Sequence, residues 1–274
     1  MGHYFTRMSY YEGDDNNNKS VETFQDLKTL PPEISLAILS KLNATDLCLA
    51  GCVWSELAYD ELLWRGLCLH SWPYCSAYKR YVQNDFSFRK TFLLLDEACL
   101  TFNADSFEGM QYLFENELVE DDPPEIAKFF NFTQRLNAEG KRRYLESRPD
   151  VLDHLMELKN FSNQFLANAL RKFFKEISAP KERDTFLSRI LDKFSRKFVQ
   201  CNPNLSISSD KIYLLCYSLI MLSVDLCSPH VKNKMSKREF IRNTRQATHL
   251  FNDDFLGDLY DNVYLLGHVA SRSS

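Results

Sequence analysis

The sequence predicts an all-α protein, with a small three-helix unit, a helical connector and a larger multi-helix domain in that order. Three observations carry this. Apolar residues recur at helical spacing along most of the 274 residues, only eight glycines and nine prolines interrupt them, and no segment shows sustained period-two alternation or an Asn-Gly hairpin signal. The length has room for one large domain or two moderate ones.

Residues 1–26 are polar around Gly-Asp-Asp-Asn-Asn-Asn-Lys-Ser and are expected to form a disordered tail. A first unit spans 28–70. Its opening helix carries Ile34, Ile38 and Leu42 at four-residue spacing, with Leu39 widening the stripe. Asn43-Ala44-Thr45-Asp46 offers an N-cap to a second helix with Leu47, Leu49, Val53 and Leu57. A third short element holds Leu62, Leu63, Trp64 and Leu67. Three helices this small cannot bury much surface alone, so the unit is expected to lean on a partner or on the following chain.

Residues 71–99 mix aromatics with Lys and Arg and read as the connector, ahead of a domain at 100–267 and a short tail at 268–274. Within that domain Asp122 is expected to cap a helix whose first positions are Pro123 and Pro124, with Glu125 at the third. Ser236-Lys237-Arg238-Glu239 has the spacing of a capping box. The run Ile212–Leu226 is apolar on nearly every face and is expected to be the most buried helix.

Composition excludes several functions. A net charge of −4 gives no basic field for nucleic acid. The longest near-apolar run, Ile212 to Val224, is too short to span a bilayer. Eight cysteines scattered among apolar residues suit reduced thiols in the cytoplasm better than a disulfide framework. Cys48, Cys52, Cys68, His70 and Cys75 contain no CxxC pair, so no metal is assigned. Without a Gly-rich phosphate loop, a nucleophile elbow or HExxH, no cofactor is implied either. Lys232, Lys234, Lys237, Arg238, Arg242 and Arg245 form a basic stretch diluted only by Glu239. It fits transient contact with an acidic membrane surface, an acidic protein surface, or a solvated helix face.

Two resemblances sharpen this reading. Leu30-Pro31-Pro32-Glu33, the stripe behind it, Asp46-Leu47, Val53 and the late Trp64 resemble an F-box. That likeness implies docking on Skp1 within a cullin ubiquitin ligase, through Leu30, Pro31, Ile34, Ile38, Leu39, Leu42, Leu47, Val53 and Trp64. From about Leu100 to Leu266 the phrases FENEL, PPEIAKFF, NALRKFF, Cys201-Asn202-Pro203, Ile220-Met221-Leu222 and LYDNVY fall in the order of the Sec7 domain. This implies a helical superhelix that engages an Arf-family GTPase and releases its GDP.

In that family an acid on the loop before the central helix enters the nucleotide site and repels the β-phosphate. Counted forward from NALRKFF it is Glu182; counted backward from Cys201-Asn202-Pro203 the position falls on Arg183, so the segment carries one extra residue. Lys181 stands where the family has Gly. By position Tyr213, Tyr217, Ile220 and Met221 offer the apolar wall of the GTPase groove. Asp225, Ser228, Val231, Lys232, Asn233 and Thr244 occupy its polar positions, with the family's asparagines replaced. Two functions follow: an exchange factor working through Glu182, or an adaptor that only holds the GTPase for ubiquitination.

Overall fold

Side-chain caps and prolines punctuate the chain into fourteen α-helices among the described residues, with no strand. In this computed structural model those are residues 26–81, 86–180, 185–248 and 251–270. The tail expected at 1–26, apart from Asp26, lies outside them, as do Glu182 and Arg183. The chain divides into two units, Met1–Ala58 and Tyr59–Ser274.

The first unit contains α1 (Pro32–Leu39), α2 (Ala44–Ala50) and the single turn α3 (Ser55–Ala58). Asn43 caps α2 as its sequence suggests, its Oδ1 accepting from the Asp46 N–H at 2.9 Å. Asp26 ties the two ends of the unit together. Its Oδ1 accepts from the Lys28 N–H at 3.1 Å and from Trp54 Nε1 at 2.7 Å, and these donors hold its carboxyl below the ordinary range. The second helix is shorter than its apolar pattern suggests. It stops at Ala50, leaving Val53 outside it and Leu57 in the separate turn α3.

The second unit runs through α4 (Glu61–Ser71), α5 (Phe88–Ala104), α6 (Ser106–Glu115), α7 (Pro123–Phe132), α8 (Ala138–Ser147), α9 (Pro149–Glu157), α10 (Leu166–Glu176), α11 (Thr185–Cys201), α12 (Ser209–Cys227), α13 (Lys237–Thr248) and α14 (Asp253–Leu266). Its main contacts pair α4 with α5, α5 with α6, α7 with α9, α11 with α12, and α12 and α13 with α14. The unit boundary therefore falls inside the expected 28–70 segment. The expected 71–99 connector contributes α5, which runs through the boundary drawn at residue 100.

The physical reason is packing at α4. Trp64 is fully buried edge-on to Phe92 at 5.5 Å, and Trp72 meets the same ring at 5.1 Å. Glu61 accepts from the Phe88 N–H at 2.6 Å, satisfying a donor at the start of α5. One residue, Asp105, separates α5 from α6 and caps the latter through the Phe107 and Glu108 N–H groups. The helices then approach so closely that a Cβ at Gly109 would lie 2.3 Å from the Phe102 Cα.

Pro123 opens α7 as expected, but Asp122 makes no side-chain cap, and Glu125 turns to Lys128 and Ser76 instead of the helix start. The far end of α7 is closed by a buried lysine. Lys141 Nζ donates to the Phe130 and Thr133 carbonyls at 2.8 and 3.2 Å, and burial lowers its pKa to about 8.

Helix α12 is not the most buried element. Ile212, Leu215, Cys216, Leu219, Ile220, Leu222 and Ser223 face inward, while Leu214, Tyr217 and Val224 are exposed. Among the described residues no helix is long and apolar enough to cross a membrane.

Candidate functional site: the outer face of helix α12

The exposed large apolar residues of α12, together with half-buried Met221, form one stripe. Leu214, Tyr217, Met221 and Val224 recur at intervals of three and four, so they share a side of a 3.6-residue helix, with Asp225 and Ser228 continuing it. Leu214, Tyr217 and Val224 are 40, 37 and 42 % exposed, more than the core requires of them. Tyr213 and Met221 are half-buried at this surface, whereas Ile220 is only 8 % exposed and belongs to the core. Leu214 and Val224 were not picked out by sequence. Their signal was present, because they stand three residues either side of the Tyr217–Met221 pair.

The elements around the stripe are held firmly. Asn202 locks the turn between α11 and α12: its Nδ2 donates to the Phe161 and Phe198 carbonyls at 3.0 and 2.9 Å, and its Oδ1 accepts from the Asn163 N–H at 2.9 Å. Beyond α12 the chain folds back on the helix end. Lys234 Nζ donates to the Asp225 carbonyl at 2.8 Å and to that of Ser228, so a cation covers the last carbonyls. Asp225 Oδ2 accepts from the Met235 N–H at 2.7 Å, and Tyr260 Oη donates to the Met235 carbonyl at 2.9 Å. The capping box closes as its spacing predicts. Ser236 donates its N–H and Oγ–H to Glu239 at 2.9 and 2.7 Å, which keeps that carboxyl below its ordinary pKa.

These bonds sort the expected groove residues. Val231 is half-buried, and Lys232 and Asn233 are exposed beside the stripe. Asp225 and Ser228 are half-buried, with Asp225 already spent on the backbone. Thr244 is 3 % exposed on the inner side of α13, so it is core and not groove wall. Its position in the family order concealed this, because α13 turns it inward beside Phe240.

The stem of the expected acid loop is also anchored. After α10, Ile177, Ser178, Ala179 and Pro180 are all buried, and the Ser178 N–H donates to the Ala138 carbonyl at 3.2 Å. On the other side α11 starts at Thr185 with Phe186 and Leu187 turned inward. Glu182 lies between these points, outside the described residues.

In the first unit, Ile34, Ile38, Leu49 and Val53 are 44–64 % exposed, Pro31 is exposed, and Leu30 and Leu42 are half-buried. Leu39 and Leu47, expected on the partner face, are buried at 2 and 1 %. On α1 the two kinds separate at one step, since Ile38 and Leu39 are adjacent and point about 100° apart. Trp64, expected on that face too, is core of the second unit. Among the described residues the arrangement presents two exposed apolar surfaces suited to binding.

Comparison with known proteins assigns a family model to each of the two regions. The Sec7 domain model matches residues 92–265, and an F-box-like model matches 27–70. F-box only protein 8 from human and from cattle is each 56 % identical over 258 residues, covering 93 % of this chain and 81 % of theirs. The ARF guanine-nucleotide exchange factor GNL2 of Arabidopsis thaliana is 38 % identical over 185 residues, covering 63 % of this chain and 13 % of its own. Among solved structures, the Sec7p catalytic domain matches with a TM-score of 0.57 at 30 % identity, covering 62 % of this chain and 96 % of that one. A Sec7 domain bound to ARF1-GDP and brefeldin A shares the fold, with a TM-score of 0.59 at 24 % identity over 64 % of this chain and 92 % of that one. With that model spanning well over half of the sequence, the chain belongs to the Sec7-domain family, as a member that carries an F-box-like segment in front and resembles F-box only protein 8 along most of its length.

Proposed function

We propose that this protein is a cytoplasmic F-box subunit of a Skp1–cullin ubiquitin ligase whose Sec7 domain engages an Arf-family GTPase through the outer face of α12 and promotes release of its GDP. The observation that carries the GTPase contact is the stripe of exposed Leu214, Tyr217 and Val224 around half-buried Met221, held on a helix fixed at one end by Asn202 and at the other by Lys234. An apolar face kept rigid in this way binds without a large ordering cost. One relative, GNL2, is an ARF guanine-nucleotide exchange factor, and one structure of the same fold holds ARF1-GDP. Docking on Skp1 rests on the exposed Ile34, Ile38 and Val53.

Exchange itself rests on Glu182. Its carboxylate would oppose the β-phosphate by charge repulsion in a partly dry site. Glu182→Lys should then abolish catalysed GDP release from a purified Arf-family GTPase while leaving capture of that GTPase intact. Rapid release by Glu182→Ala would show that another residue does the work. The second reading, a holder that presents the GTPase for ubiquitination without exchange, is favoured by the extra residue between NALRKFF and Cys201-Asn202-Pro203. Under that reading the wild type is already slow and Glu182→Lys changes little. Capture of Skp1 is tested by Ile34→Asp with Ile38→Asp, which should lose it without disturbing the Tyr59–Ser274 unit.

A further inference from the structure

One end of the α13–α14 pair has a chemistry unlike the rest of the surface. The two helices run antiparallel, since Lys237 at the start of α13 pairs with Asp261 at 2.5 Å and Arg245 near its end pairs with Asp253. The last turn of α14 therefore lies beside the start of α13 and the segment before it, where Tyr260 already bonds Met235. On that turn Tyr264, stacked on Tyr260 at 6.2 Å, is 67 % exposed, Leu265 76 % and Leu266 61 %. Isolated exposed leucines are ordinary; three consecutive large apolar side chains at one helix tip are not.

The charge around this tip is positive in a chain of net charge −4. Residues 230–246 hold six lysines and arginines against one carboxylate, Glu239. Lys232, Arg238 and Arg242 are exposed. Of the carboxylates nearby, Asp261 is ion-paired with Lys237, whereas Asp225, held by the Met235 N–H, and Glu239, held by Ser236, keep their charge. Asp258, exposed two turns back from Leu265, adds a further negative charge, so the cations hold only a small excess here.

From this juxtaposition we infer that the α13–α14 tip docks on an anionic lipid surface, with Tyr264, Leu265 and Leu266 entering the headgroup–acyl boundary and Arg238 and Arg242 meeting lipid phosphates. Leucines beside a tyrosine suit that boundary, where an aromatic ring sits at headgroup depth, and each cation near the surface strengthens the attraction. The contact holds whether or not a GTPase is engaged.

Flotation of the full chain with phosphatidylcholine vesicles, with and without phosphatidylserine, tests this. Binding should favour the phosphatidylserine vesicles and weaken as salt screens the charges. Arg238→Ser with Arg242→Ser should weaken it about fivefold for each charge removed and leave the weak binding to neutral vesicles unchanged. Leu265→Ser with Leu266→Ser should weaken binding to both. All four side chains are exposed or lie outside the core, so matched melting curves identify variants that remain folded. Equal partition to the two vesicle types, or no response to either pair of substitutions, overturns the inference. So does loss of Arf-family GTPase capture by the arginine variant in the absence of vesicles, which would assign the cations to a protein contact.

Discussion

Helices α11 and α12 are neighbours of similar length that pack on each other, yet they distribute their apolar residues in opposite ways. In α11 the large apolar side chains Phe186, Leu187, Ile190, Leu191, Phe194 and Phe198 all turn inward, and Ser188, Arg189 and Arg196 are exposed on the other side. In α12 an equally full inner face is accompanied by Leu214, Tyr217 and Val224 on the outside. The core asks for one apolar face per helix. The second face of α12 is surplus to folding, and surplus apolar surface on a rigid element is what a binding site needs.

Substitution should separate the two kinds of face sharply. The largest effect is expected in α11. Phe194 is fully buried between Phe161 at 4.8 Å and Phe173 at 5.3 Å, so Phe194→Ala should cost about 3–5 kcal/mol in urea unfolding. A loss no greater than that of a surface change would mean α11 does not anchor the fold.

Next comes Lys141, whose folded pKa of about 8 lies below its ordinary value near 10.5. Between these values the unfolded chain holds more protons, so wild-type stability relative to Lys141→Met should be level below pH 8 and rise from there to about pH 10.5. The rise should be at most about 3 kcal/mol, and the two carbonyls that receive its protons temper it. Parallel pH curves for the two proteins would refute this placement of the lysine.

Asn202→Ala removes two donated bonds and one accepted bond at the α11–α12 turn and should cost about 2 kcal/mol. Because that turn sets the start of α12, GTPase capture should weaken alongside. The smallest stability change belongs to Tyr217→Ala, within about 1 kcal/mol for a side chain this exposed. The same variant should nevertheless lose GTPase capture at least tenfold, as truncation of a central aromatic anchor does. Pull-down of purified Arf-family GTPases measures this directly, and retained capture would remove the outer stripe of α12 from the binding surface.

The sequence was most informative where chemistry is local. The cap at Asn43 and the box at Ser236–Glu239 can be read from a few adjacent residues, because a side chain reaches its own helix start. The phrases that identify a Sec7 domain likewise survive in order. What was not legible depends on what lies across from a residue. Trp64 reads as a partner-facing residue of a small unit until Phe92, far along the chain, is seen to enclose it. Ile38 and Leu39 are nearly identical chemically, and only the packing around α1 makes one exposed and the other core. Thr244 appears polar and available in the one-letter string but faces inward on α13. The basic run looked uniform, yet Lys234 is committed to the carbonyls ending α12 and Lys237 to Asp261, while Arg238 and Arg242 are exposed.

The burial of Trp64 bears on how such a protein can be cut. The F-box-like match ends at residue 70, which invites excision of the Sec7 part from residue 71 onward. That cut would strip the indole from Phe92, open the wall beside Cys68 and α5, and leave the Phe88 N–H without the carboxylate of Glu61. Such a fragment should expose aromatic rings and aggregate, whereas one beginning at Tyr59 keeps the wall whole. The last helix of the front segment thus serves as the foundation of the domain behind it.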